Sequence, residues 1–233
     1  MQENNFVLVN CDTDSITICD PIFKDFTKEE REDLLNKLNA LFPDKIRWED
    51  DGYYQTVIVL KTKNYVLYDG NKLKIKGSAL KDSKKEKAIQ EMLLEIIKAM
   101  INKQNNYKEI YDKYIIEAMN VKDISRWSSK KTITEKVLTS QRTNETKLKD
   151  ALKNNEYMEG DKVWVYFKKN GALELKDNFD GDYDKIKLLE KCYKSILIFK
   201  EILDIDKYFI KYHLKKNKNL LESLIGRNID EEI

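Results

Sequence analysis

Phe6-Val7-Leu8-Val9-Asn10-Cys11-Asp12-Thr13-Asp14-Ser15-Ile16-Thr17-Ile18-Cys19 is the stretch from which the fold is read. Phe6 to Val9 are apolar and mostly aromatic or β-branched, which predicts a buried strand. Ile16 to Ile18 predict a second. Asp12, Thr13, Asp14 and Ser15 fall between them, so the pattern is a hairpin holding two carboxylates at a tight turn. Carboxylate oxygens are hard donors suited to Mg2+, which keeps positions open for substrate phosphates. An extended strand would aim residues two apart to the same side, and a turn re-aims them. One carboxylate is therefore expected to be the direct ligand and the other its support.

Three rival readings stand beside this one. An EF-hand loop also begins Asp-x-Asp, but it needs Gly at its sixth position and helices on both sides. Thr17 stands there and the flanks are strand-like. A haloacid-dehalogenase-type phosphohydrolase carries a strand and then Asp-x-Asp, with a Thr or Val two residues on. Ile16 takes that place and the chain continues as a strand, a poor fit. A hairpin tip that is merely solvated stays open on these residues alone.

The chain has 233 residues, enough for one large domain or two small ones. The net charge of +2 hides a strong asymmetry. Residues 1–60 carry six Lys/Arg against thirteen Asp/Glu, whereas residues 61–87 carry nine Lys against three acids. An acidic segment followed by a basic one suits a metal site beside a phosphate track. Cys11, Cys19 and Cys192 form no CxxC pair, which favours a reduced, cytoplasmic setting. His213 is the single histidine, so His-based triads and multi-His zinc sites are excluded. No apolar run of transmembrane length is present, and no membrane partner is expected.

Outward from the hairpin, Thr27-Lys28-Glu29-Glu30 reads as a capping box. It opens a helix whose Leu34, Leu35, Leu38, Leu41 and Phe42 are expected to be core, with Pro43 ending it. Tyr53 to Leu60, Lys63 to Tyr68 and Lys72 to Lys76 predict an antiparallel meander, with Asp69-Gly70 as a turn. Ser83-Lys84-Lys85-Glu86 reads as a second capping box before a helix with Ile89, Met92, Leu93, Ile96, Ile97 and Met100 on one face. A polar run over 102–106 marks a domain boundary, and Tyr107 to Met119 predict another helix. Residues 122–153 hold nine Lys/Arg against four acids, interleaved with Ser and Thr that can bond phosphate oxygens. Gly160 to Phe167 predict a strand turning at Asn170-Gly171, and Asp182 to Leu203 predict an amphipathic helix.

DTDS between apolar strands resembles motif C in the palm of the B-family DNA polymerases. Lys63-Asn64-Tyr65 and then Lys76-Gly77 resemble that family's next landmark, a KKxY element followed by a Lys-Gly step, with Thr62 where a lysine is usual. Gly160-Asp161-Lys162-Val163 resembles a strand of the thumb. Leu203 to Phe209 and then Leu220 to Gly226 resemble its closing segment. The matches run in family order over nearly the whole chain. The resemblance implies an α+β fold: a partial palm, antiparallel sheet with packed helices, over 1–104, then a mostly helical thumb with a small β hairpin over 105–233.

The resemblance also implies a chemistry. Asp14, with Asp12, would coordinate catalytic Mg2+ for nucleotidyl transfer from dNTP. Lys63, Tyr65, Lys76 and Lys81 would hold primer–template DNA near its terminus, and Arg126, Lys130, Lys131 and Arg142 would grip the upstream duplex. In the family, the exonuclease, motif A and the fingers precede motif C. The expectation is therefore a C-terminal subunit of a split, phage-type polymerase, active with an N-terminal partner chain, the starting Met favouring a separate gene. A sliding clamp is a further candidate partner. Two alternatives stay open: a duplex-binding module with a vestigial hairpin, and a DxD phosphohydrolase.

Overall fold

In a computed structural model the described residues are 6–43, 45–139, 143–152, 156–213 and 216–227, without the side chains of 81, 143 and 144. The chain forms two compact units, Met1–Gly77 and Ser78–Ile233. The architecture is α+β with antiparallel sheets and packed helices, as the sequence implied. The contact division falls ahead of the 104/105 boundary expected from the sequence.

In the first unit, β1 (Val7–Asp12) and β2 (Ser15–Cys19) pair antiparallel, and Asp12 faces Ser15 across a two-residue turn, Thr13-Asp14. The strands therefore run further toward the tip than the apolar residues alone predict. The register slips between Leu8 and Asn10, which leaves Val9 as an extra residue on β1. Such a bulge bends its strand and increases local twist. Helix α1 (Lys28–Asn39) opens with the predicted box: Thr27 Oγ1 accepts from the Glu30 N–H at 3.2 Å, and the Glu30 carboxylate accepts from the Thr27 N–H at 2.8 Å. Its apolar stripe is not core, however. None of its residues is buried, and Leu41, just beyond it, is 77 % exposed. Periodicity marks the face that wants burial but cannot say that this chain supplies the cover.

Strands β3 (Thr56–Lys61), β4 (Asn64–Tyr68) and β5 (Leu73–Lys76) form the predicted meander, in the order β3-β4-β5. β1 lies against β3 without joining its ladder. β4 is the central strand, and Tyr65, Val66 and Leu67 on it are buried. The β4–β5 loop is fixed by Asp69, whose carboxylate accepts from the N–H groups of Asn71 and Lys72. Those two bonds hold its carboxyl below the usual range.

The second unit begins with a short helix α2 (Ser78–Lys81) and is built on α3 (Lys87–Ile101) and α4 (Tyr107–Met119), which pack together. Ile89, Met92, Leu93, Ile96 and Ile97 recur at helical spacing and are all buried. Each such side chain contributes roughly 1.5–3 kcal/mol. The expected Ser83–Glu86 box does not form. Glu86 is the N-cap without a side-chain capping bond, and its carboxylate, 4 % exposed, pairs with Lys191 instead. A buried carboxylate needs a counter-charge more than a helix end needs a cap.

Strand β6 (Ser129–Thr132) pairs with β7 (Lys162–Phe167), which pairs with β8 (Leu173–Leu175), so the expected hairpin gains a third strand. One face of this sheet packs with α5 (Glu135–Thr139) and α6 (Thr143–Ala151) through Ile133, Val137, Leu148, Leu152, Val163, Val165, Leu173 and Leu175. Helix α7 (Lys185–Ile196) packs on α3 and α4. Beyond it, α8 (Ile205–Tyr208) and α9 (Lys218–Ile225) close the chain. Tyr111 of α4 stacks on Tyr212, meets Phe209 edge-on and donates to the Ile210 carbonyl, which fastens this segment to α4.

Candidate functional site

The two-residue turn carries the chemistry of the first unit. Asp12 closes the hairpin: its Oδ1 accepts from the Thr13 N–H at 2.9 Å. Asp14 is exposed at the tip and has no hydrogen bond or ion pair among the described residues. One carboxylate is thus positioned by its own turn while the other projects free. Neither Thr13 nor Asp14 takes positive φ, so the turn is not the primed type usual for two-residue loops.

The β3–β4 turn brings the second element to the same place. Its register slips between Val59 and Lys61, and Lys63 takes the left-handed conformation at φ 60°. The Lys63 ammonium then lies 3.9 Å from Asp12 Oδ1, with 68 % of its side chain still exposed. An exposed pair of this kind is worth little, so the ammonium remains available to an incoming phosphate. Tyr65, next but one, faces Lys76 across the β4–β5 ladder. Burial first, and then the nearby Asp12 carboxylate, push its phenol upward. Tyr65 therefore stays a neutral donor.

Gly77 closes the arrangement. At φ 93° it lies so near the β3–β4 turn that a Cβ would stand 2.2 Å from the Lys63 carbonyl oxygen and 2.4 Å from Asn64 Oδ1. No L-residue with a side chain fits there without displacing the turn. The structure thus brings Asp12, Lys63 and Tyr65 together, with Lys76 paired to Tyr65 and Gly77 against the Lys63 turn.

Hard carboxylate oxygens at an exposed tip suit Mg2+, but two carboxylates are only part of a coordination set. Among the described residues, no three His, Cys, Asp or Glu side chains come together as a metal group. Asp12 and Asp14 fit the ion in the nature of their donors, and further ligands would have to come from outside the described residues.

In the second unit the predicted contacts separate. Arg126 is engaged internally, its guanidinium pairing with Glu91 and, at 2.7 Å, with Glu117. These two carboxylates hold the guanidinium while 43 % of the side chain stays exposed. Lys130 and Lys131 lie on the edge strand β6 and have no ion pair among the described residues. Arg142 and the side chain of Lys81 lie outside the described residues. Sequence reasoning passed over Trp164, which is 40 % exposed on β7. The signal was present in the alternation Val163–Trp164–Val165, whose two valines point to the core.

The first unit thus sets a two-stranded carboxylate hairpin beside an antiparallel three-stranded sheet, and the second unit is helical with its own small sheet. Among solved structures, 90 chains match. One is the family B DNA polymerase from the hyperthermophilic archaeon Pyrobaculum calidifontis, similar with a TM-score of 0.62 and 16 % identity over 87 % of this chain. The match spans only 28 % of that polymerase, so what is shared is the fold of a part of it. No protein-family model matches the sequence, and no curated protein matches it.

Proposed function

We propose that the chain is the C-terminal palm-and-thumb part of a B-family DNA polymerase, with palm over 1–104 and thumb over 105–233. The observation that carries this reading is the meeting of the DTD hairpin with the Lys63-Asn64-Tyr65 turn and the Lys76-Gly77 step, in a chain that shares a polymerase fold. Motif-like residues spread along 65 positions come to one place only if the fold puts them there.

In this reading Asp14 and Asp12 hold Mg2+ together with carboxylates of a chain that carries motif A, the fingers and the exonuclease. The ion, when bound, supplies activation of the primer 3′-hydroxyl and neutralisation of the leaving pyrophosphate. The residues of this chain do the rest. Asp12 is held by the Thr13 N–H, so it needs no rearrangement to accept a ligand. Lys63 turns from Asp12 to a phosphate of the primer–template, and Tyr65 donates its hydroxyl to the duplex beside it. Lys76 extends the track along an edge strand. In the thumb, Lys130 and Lys131 hold the upstream backbone. No helix among the described residues is long and apolar enough to cross a membrane.

Primer extension by the chain combined with the chain that carries motif A and the fingers tests the reading. Asp14→Asn abolishes extension, because a neutral amide cannot replace a carboxylate that would hold a divalent ion. DNA affinity stays level or rises, since a negative charge near phosphates is removed. Lys63→Ala does the reverse: affinity falls and the salt slope becomes shallower by about one unit. Extension that survives Asp14→Asn would instead leave a duplex-binding module with a vestigial hairpin. Loss of a phosphoesterase activity in that variant would point to the DxD hydrolase.

A further inference from the structure

The sheet of the second unit has one face covered by α5 and α6 and another that is open at its Lys162–Trp164 end, Tyr166 further along that face being buried against Phe179. Val163 and Val165 point into the core against α5 and α6. Lys162 and Trp164 alternate with them and so point the other way, and both are exposed. The β6–β7 register sets Lys130 opposite Trp164 and Thr132 opposite Lys162. Lys176, in the turn after β8, reaches the same indole. The Lys130 ammonium stands 5.6 Å from the ring centroid and that of Lys176 5.1 Å. An exposed tryptophan thus lies among three cations on one sheet face.

None of these three lysines has an ion-pair partner among the described residues. The acids nearby are already engaged. Glu174, which faces Tyr166 across the ladder, accepts from the Leu175 N–H and from Asn178 Nδ2. Asp123, whose charge Lys176 feels, caps the Ser125 N–H. The three lysines therefore make no direct ion pair with them, and they flank a flat aromatic surface.

We propose that this open face binds single-stranded nucleic acid, with Trp164 stacking on an unpaired base and Lys130, Lys162 and Lys176 holding the neighbouring phosphates. A duplex offers the cations the same phosphates, but its base faces are stacked away and the indole gains nothing from it. Aromatic platforms with cations along the backbone track bind single strands without reading sequence, because every base has a π-face. The lysines that rest on the indole transfer to phosphates as the base takes their place over the ring. The face lies wholly in the second unit, and no hairpin residue enters the argument. It goes beyond the proposed polymerase role and shares only Lys130 with it, so Trp164, which that role does not use, separates the two.

The test is fluorescence anisotropy of the full chain with a labelled oligothymidylate of about twelve nucleotides, inside the usual site sizes. An abasic strand and a blunt duplex of the same length serve as comparisons. Trp164→Ala is expected to weaken oligothymidylate binding about tenfold, as loss of one base stack does, with roughly twofold change or less for the abasic strand and duplex. The double variant Lys130→Ala/Lys176→Ala weakens oligothymidylate and abasic strand alike and makes the salt slope shallower by roughly 0.7 per lost contact. Trp164→Phe guards against a fold effect, because it keeps an aromatic platform and must retain most of the affinity that alanine loses. The proposal is overturned if the unaltered chain does not bind oligothymidylate. It is also overturned if Trp164→Ala affects the abasic strand equally, or if phenylalanine loses as much as alanine.

Discussion

Among single residues, Gly77 ties the local backbone to the candidate site most directly. Its φ of 93° is open to glycine, and its neighbour across the turn is the Lys63 carbonyl, backbone that cannot swing aside. Gly77→Ala is therefore expected to destabilise the first unit by more than about 1 kcal/mol, the level at which an alanine forced to positive φ exceeds the entropy it saves. Denaturant unfolding followed through the β-sheet signal measures this, and an unchanged midpoint would contradict the close approach. The same variant displaces Lys63, so it should mimic Lys63→Ala in DNA affinity while leaving the Lys63 charge in place. The sequence displayed the Lys-Gly step but not this reason for it. Left-handed Lys63 and the slipped β3–β4 register, which bring its ammonium to Asp12, leave no mark in composition or periodicity.

At the scale of elements, local and tertiary forces decide two helix starts differently. For α1 the local box sets the start, since no residue of the helix is buried and its tertiary bonds, Arg31 to Asp50 and Asn39 to the Trp48 backbone, lie further along. Thr27→Ala should cost about 1 kcal/mol of local helix stability, read as faster amide exchange in its first turn. The Thr27 N–H, and then Lys24, hold the Glu30 carboxyl below its ordinary value of 4.5. A lowered carboxylate contributes stability that is present above that value and is lost as pH falls below it. Fraying of α1 should accordingly begin in acid. For α3 the tertiary pair Glu86–Lys191 replaces the box, and Lys191→Met leaves a buried carboxylate without its counter-charge. A loss toward the lower end of roughly 3–5 kcal/mol follows, partly restored by adding Glu86→Gln, and a double-mutant cycle reads the coupling. Long periodic segments were legible in advance: α4 runs from Tyr107 to Met119 as its spacing predicts. Ser129-Lys130-Lys131-Thr132 was not, because an edge strand with so little apolar content carries no alternation to read, and only its ladder with β7 makes it a strand.

For the molecule as a whole, burial is distributed unevenly along the chain. Among the described residues, none before Leu60 is buried, whereas α3 and α4 carry fully enclosed side chains. Ile22 and Phe23 are more than 80 % exposed, Val7 and Leu8 nearly half exposed, and β1 and β2 form a sheet of two strands only. Two-stranded sheets are marginal in water, and apolar surface on this scale marks an interaction site. The sequence reading expected Phe6 to Val9 to be a buried strand whose partner strands come from this chain or another, and it expected the α1 stripe to be core. The partner chain of the proposed polymerase is the natural cover, and an obligate interface of this kind buries about 2,000 Å2 or more. Hydrogen exchange measures the consequence. In the isolated chain, amides of β1 and β2 should exchange near the rate of local opening, while those of α3 exchange only with global unfolding. Adding the chain that carries motif A and the fingers should slow β1, β2 and α1 by orders of magnitude and leave α3 almost unchanged. Primer extension should appear only in that mixture. Strong protection of β1 and β2 in the chain alone, or extension without the second chain, would show that this surface is already covered and that no partner is required.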